Sequence, residues 1–163
     1  HDCLHSWALG VRIEDYEAPA ALLKNLNASE IKRIYSDCIN LCTAFTSSQI
    51  AADFIDAKNS DRFYRAEWEF KNLNGEYIVT GSMDLIFQNA DNTYTLVDYK
   101  SDTDCVPERY YAQQTCYRQA AAALLAVSTA DIKPVLYYLR TAESIDISAQ
   151  TESDLRIKDL QKN

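Results

Sequence analysis

The block from Arg62 to Lys100 constrains this chain more than any other stretch, because it reads as consecutive strands separated by turn residues. Arg62 to Phe70 has strand texture, Asn74-Gly75 is a strong two-residue turn, and Glu76 to Phe87 is a second strand. Asn89 to Asn92 turns again and Thr93 to Lys100 is a third strand, which makes an antiparallel meander. Along the second strand Ile78, Val79, Met83, Leu85, Ile86 and Phe87 populate both faces, a pattern expected when helices cover a sheet on both sides.

The remaining segments supply those helices. From Ser29 to Phe45 apolar residues recur at helical spacing, with Asn27 or Ser29 available as the cap. A shorter helix is expected from Ser47 to Asp56, and the opening around Leu4, Trp7, Leu9 and Val11 suits a helix running into a loop near Asp15 to Pro19. Beyond a polar loop, Tyr110 to Val127 reads as an alanine-rich helix and Pro134 to Arg140 as a strand. A further strand over Ile145 to Ile147 would precede a polar, weakly patterned tail. The implied architecture is an α/β sandwich with a mixed central sheet, in one domain over residues 1–163.

Composition narrows the functional classes. With 47% hydrophobic and 25% charged residues and only three glycines, the chain has ordinary globular composition. The five cysteines, Cys3, Cys38, Cys42, Cys105 and Cys116, lack the paired spacing of zinc or redox sites; Cys38 and Cys42 are one helical turn apart. They read as reduced and structural, which fits a cytoplasmic protein. No apolar run approaches membrane-spanning length and the first residues do not form a signal peptide. Because the chain opens at His1 without a methionine, it is expected to be a piece of something longer. The net charge of −8 counts against independent capture of nucleic acid, since phosphate binding normally relies on Lys and Arg. No phosphate-cradling loop ending in Lys-Ser or Lys-Thr occurs, so ATP use would belong elsewhere.

Chemistry concentrates at the end of the third strand. Alternation places Asp98 and Lys100 on the same side, and a hairpin closing about Asp91 sets Asp84 opposite Asp98. Two carboxylates converging on an apolar sheet repel unless a proton or cation intervenes, and oxygen ligands of this kind suit Mg²⁺ or Mn²⁺. Lys100 could then orient an attacking water or stabilise developing charge. On the following helix Tyr110, Gln113 and Tyr117 share one face. The bland alternatives are that an isolated Asp-x-Lys is a solvated pair, that the tyrosines are core aromatics, and that Asp102 and Asp104 form only a solvated loop.

Taken together, Asp84, then Asp98-Tyr99-Lys100, then Tyr110-x-x-Gln113-x-x-x-Tyr117 resemble the nuclease domain of AddA and RecB helicase-nucleases, in the PD-(D/E)xK superfamily. Gly81 to Phe87 is similar to that family's strand ending in the first metal-binding aspartate, and Leu96 to Asp102 to its active-site strand. The resemblance implies a restriction-endonuclease-like fold and a Mg²⁺- or Mn²⁺-dependent DNA exonuclease acting in recombinational repair. The metal would be held by Asp84, Asp98 and the main-chain carbonyl of Tyr99. A glutamate on the strand before the hairpin is best matched by Glu67, although Glu69 lies on the same face. His1 matches the family's metal-shell histidine, with His5 as the alternative and a disordered terminal residue as the bland reading. Tyr110, Gln113 and Tyr117 would touch the active site and the DNA backbone. No cysteine follows Cys116, so the iron–sulfur cluster of AddB-like relatives is not expected. The implied partners are DNA, a helicase domain in the same parent chain and an AddB-like subunit, with no membrane. The rivals are a stand-alone phage-type exonuclease and an inactive scaffold that binds DNA or a partner.

Overall fold

The computed structural model describes residues 1–74 and 77–151, with side chains described outside 72–77. The opening helix α1 spans Asp2–Ala8, followed by a short helix α2 at Ala20–Leu23, the long helix α3 at Ala28–Thr46 and α4 at Gln49–Asn59. Asn27 caps α3: its side chain accepts from the amides of Ser29 and Glu30, while Glu30 accepts from the Asn27 amide. Ser48 caps α4 through the Ala51 amide. At the far end of α1 the Lys58 ammonium donates to the Ala8 carbonyl at 2.7 Å, satisfying an acceptor that the helix leaves open.

The sheet follows. Strands β1 (Tyr64–Asn74), β2 (Tyr77–Gln88) and β3 (Tyr94–Lys100) form the expected antiparallel meander. Helix α5 (Tyr111–Leu125) then crosses over to β4 (Ile132–Tyr138), which runs parallel to β3, and β5 (Glu143–Asp146) pairs antiparallel to β4. The sheet is therefore mixed, with strand order β1-β2-β3-β4-β5. Expected boundaries shift by small amounts: β4 begins at Ile132 rather than Pro134, because Ile132 and Lys133 already pair with Tyr94 and Thr95. The helix expected from Tyr110 begins at Tyr111, after a 3-10 turn over Pro107–Tyr110. Helix α2 was not expected; it is four residues long and carries no periodic signal. The proposed Asn74-Gly75 turn and most of the polar tail lie outside the described residues.

Helices cover both faces. On one side Leu85, Phe87, Val97, Tyr99 and Tyr137 pack with Leu4, Phe45 and Phe54 of α1, α3 and α4. Phe45 stands at its centre, 4.8 Å from the Tyr99 ring and 4.9 Å from Tyr137, both edge-on. On the other side Met83, Ile86, Tyr94 and Leu96 pack with Ala120, Ala121 and Ala122 of α5, whose small side chains let the helix lie close. Arg118 of α5, 2% exposed, is held by the carbonyls of Thr129 and Ser148 and the Thr151 hydroxyl. Among the described residues no helix is long and apolar enough to cross a membrane.

The first two strands turn over in concert. Tyr64 and Ala66 pack with the α1/α3/α4 layer, yet Trp68 and Phe70, which strict alternation would put on the same face, pack with the α5 layer. The inversion falls on Glu67, whose φ is +48°. On β2 the inversion falls at Asp84, since Leu85 and Phe87 belong to the first layer and Met83 to the second. Pairing is unshifted on either side, with Ala66 opposite Leu85 and Trp68 opposite Met83. Glu67 and Asp84 thus face each other at the point where the sheet exchanges its faces.

Candidate active site

Elements from four parts of the chain meet at this kink. His1 precedes α1 and places its Nδ1 3.1 Å from Asp84 Oδ1. The other oxygen of Asp84 accepts a hydrogen bond from the Tyr99 amide at 2.8 Å. The β2–β3 ladder runs from Gln88–Tyr94 to Leu85–Val97, and its next step sets Asp84 opposite Asp98, as the sequence register implied. There the side chain of Asp84, in place of a main-chain carbonyl, takes the β3 amide.

Ligand atoms of His1, Glu67 and Asp84 all lie within 4.8 Å of one another. Octahedral Mg²⁺, with metal–oxygen distances near 2.0–2.1 Å, requires adjacent ligands about 3 Å apart, so the His1–Asp84 spacing fits and Glu67 needs only a small closure. The donor chemistry also fits: carboxylate oxygens suit Mg²⁺ and Mn²⁺, and an imidazole is tolerated by the latter. Of the glutamates on β1, the structure brings Glu67 to the cluster, whereas Glu69 is exposed and lines a groove with Thr80 and Ser82. Ser82 approaches Glu67 at 3.4 Å. His1, not His5, stands beside Asp84; His5 Nδ1 is buried without a hydrogen-bond partner.

Asp98 and Lys100 form the second half of the site. Asp98 is 4% exposed and pairs with the Lys100 ammonium at 2.5 Å. Burial pushes the Asp98 carboxyl above its ordinary value, Lys100 opposes that shift and Asp84 reinforces it. His1 is shifted upward chiefly by its hydrogen bond to Asp84, with the charges of Asp84, Glu67 and Asp98 adding and burial opposing. The cluster is therefore a concentration of negative charge that raises the proton affinity of His1 and Asp98 and would reward a cation.

Lys100 is fixed from three sides. Besides Asp98, it donates to the Gln113 amide oxygen at 3.3 Å and sits 3.8 Å from the centroid of the Tyr110 ring. The Gln113 amide nitrogen in turn donates to the Tyr117 hydroxyl at 3.0 Å. All three residues proposed on the α5 side thus converge on the site. Tyr110, expected to touch DNA, lies as a platform under Lys100, and its hydroxyl donates to Asp102. That bond is the main reason the Tyr110 phenol is pushed up to about 12. Asp102, expected to be a solvated loop residue, is therefore part of the scaffold around Lys100, a role that sequence spacing alone gave no signal for. Tyr99 is buried, with its ring 6.0 Å edge-on from His1; what it offers the site is main-chain atoms.

The mixed sheet sandwiched between helices is a restriction-endonuclease-like α/β fold. Within that fold class, the chain matches the model of the PD-(D/E)XK nuclease superfamily over residues 1–162, and it belongs to this family. Members of the superfamily are generally nucleases that use divalent metals. No curated protein matched the chain.

Proposed function

We propose that this chain is the nuclease module of an AddA-like, ATP-dependent helicase-nuclease, hydrolysing DNA with Mg²⁺ or Mn²⁺ at broken ends that are processed for recombination. The observation that carries the nuclease reading is the convergence of His1, Glu67 and Asp84 within 4.8 Å, beside a buried Asp98–Lys100 pair. The helicase context rests on the likeness of Leu96 to Asp102 and Gly81 to Phe87 to the AddA and RecB strands, and on the net charge of −8. An acidic module gains from a motor that delivers the strand. On this reading its partners are the helicase part of the parent chain and an AddB-like subunit, in the cytoplasm.

In the proposed site His1, Glu67, Asp84, Asp98 and the Tyr99 carbonyl would hold the cation. A divalent ion there supplies Lewis-acid stabilisation of charge on the phosphate. Lys100 holds the attacking water and neutralises the phosphate oxygens, its reach limited by Asp98, Gln113 and the Tyr110 ring. Tyr117 fixes the amide of Gln113, and through it the position of Lys100. Water would attack phosphorus and release a proton to solvent, and the deoxyribose oxygen on the opposite side would depart as its P–O bond breaks and take up a proton from solvent.

The test is calorimetric titration with Mg²⁺ and Mn²⁺, paired with cleavage of end-labelled linear DNA. One site whose binding is lost in Asp84→Ala/Asp98→Ala, and cleavage that depends on the same ion, are expected. Undiminished binding in the double variant, or cleavage in excess chelator, would remove the assignment.

A further inference from the structure

A second set of ligand atoms lies at the first turn of α1, made of thiols rather than carboxylates. The thiols of Cys3 on α1 and of Cys38 and Cys42 on α3 lie within 4.8 Å of one another. All three are free thiols. Cys38 and Cys42 are four residues apart, so the helix presents both on one face, and Cys3 meets them from the neighbouring helix. Cys3 and Cys42 are buried, while Cys38 is half-buried and lines two cavities that open beside it, of about 270 and 320 Å³. An ion from solvent can therefore reach the cluster.

We propose that Cys3, Cys38 and Cys42 form a three-thiolate site for a soft d¹⁰ metal ion of the Zn²⁺ or Cu⁺ type. Metal–sulfur bonds near 2.3 Å place neighbouring sulfurs about 4 Å apart, so the present cluster needs to contract by less than about 1 Å. Thiolates select this class of ion, and the carboxylate cluster selects hard Mg²⁺ or Mn²⁺, so the two sites divide by ligand softness. On binding, S–H bonds are replaced by metal–sulfur bonds and up to three protons pass to solvent. The thiols ligate only as thiolates, so proton loss and ion entry are coupled. Occupation would clamp α1 to α3. Because His1 precedes α1 and Cys3 is two residues further on, the clamp would fix the turn that holds His1 against Asp84.

Cd²⁺ is the probe, because cadmium thiolates add an ultraviolet charge-transfer band, read as the difference from the metal-free protein, that cadmium carboxylates do not. The full chain, reduced and stripped of metal, is titrated while this absorption and the melting temperature are followed. The expected result is a band that saturates at one equivalent, with a rise in melting temperature. Both should be lost in Cys38→Ser and in Cys42→Ser and kept in Cys105→Ser, Cys116→Ser and Asp84→Asn. Cys38 is the most exposed of the three, so Cys38→Ser retains the fold and separates loss of a ligand from loss of structure; circular dichroism of that variant verifies it. Zn²⁺ should compete the band away. Absence of the band in wild type, absorption that grows without a break beyond one equivalent, or a band that survives in Cys38→Ser and Cys42→Ser would each overturn the proposal.

Discussion

Asp98 carries its charge in surroundings that disfavour it: burial is the largest influence, Lys100 works against it and Asp84 adds repulsion. A carboxyl whose folded pKa lies above its unfolded value near 3.9 destabilises the fold when ionised, so the cost is absent below that unfolded value, grows as pH rises from it towards the folded value and is complete above the latter. Asp98→Asn should therefore melt higher than wild type at neutral pH without metal, and the gap should close as the pH is lowered towards 4. Thermal melts across that range measure it, and a variant less stable than wild type at pH 7 would contradict the burial argument. His1 shows the opposite linkage. Its folded pKa lies above 6.5, so the bond to Asp84 stabilises fully at lower pH and is lost as pH rises through the raised value. An NMR titration should give His1 a midpoint above 6.5 in metal-free protein, returning towards 6.5 in Asp84→Asn.

Strands β1 and β2 carry the least regular feature of the fold, the shared inversion at Glu67 and Asp84. A φ of +48° at a residue with a Cβ costs about 1–2 kcal/mol, strain of the kind that persists where neighbouring structure over-determines it. Glu67→Gly should accordingly be more stable than Glu67→Ala by about 1 kcal/mol, while both lose the carboxylate equally; urea denaturation of the pair decides it. Equal stabilities would mean that the backbone there is unstrained. Gly81 is tight for a different reason. An added Cβ would lie 2.8 Å from the Phe70 ring and 2.9 Å from Tyr117, so Gly81→Ala should cost about 1–3 kcal/mol and displace the tyrosine that holds Gln113. Slower cleavage with little change in DNA binding is expected. The meander, the register of its second hairpin and the helix and strand that follow were legible in the sequence because alternation, turn residues and caps are local signals, and the Asp84–Asp98 juxtaposition followed from that register. The inversion was not legible: Ile78 to Phe87 read as a strand covered on both faces, and a reversal of phase leaves the same composition. Tyr110 over Lys100, Asp102 on Tyr110, and Cys3 beside α3 depend on contacts between elements far apart in sequence, which no spacing encodes.

Across the whole molecule the balance of charge is −8, and a chain of that character gains little affinity for DNA by displacing counterions. If the proposed helicase context holds, the domain on its own should bind DNA weakly and cut distributively, whereas a helicase-bearing parent protein with ATP should degrade the same linear substrate processively, because tethering replaces diffusional capture with a high local concentration. Equal rates and processivity at physiological salt would favour a self-sufficient exonuclease over a module. Phosphodiester hydrolysis is proposed to occur at the cluster closed by Asp84, Asp98 and Lys100. Its most direct test is the single-turnover cleavage rate of linear DNA in Mg²⁺ by Asp98→Ala, with circular dichroism verifying the fold. Loss of several kcal/mol of transition-state stabilisation, at tenfold in rate per about 1.4 kcal/mol, is expected to slow cleavage by orders of magnitude while the fold is kept. Cleavage by folded Asp98→Ala at the wild-type rate would contradict it.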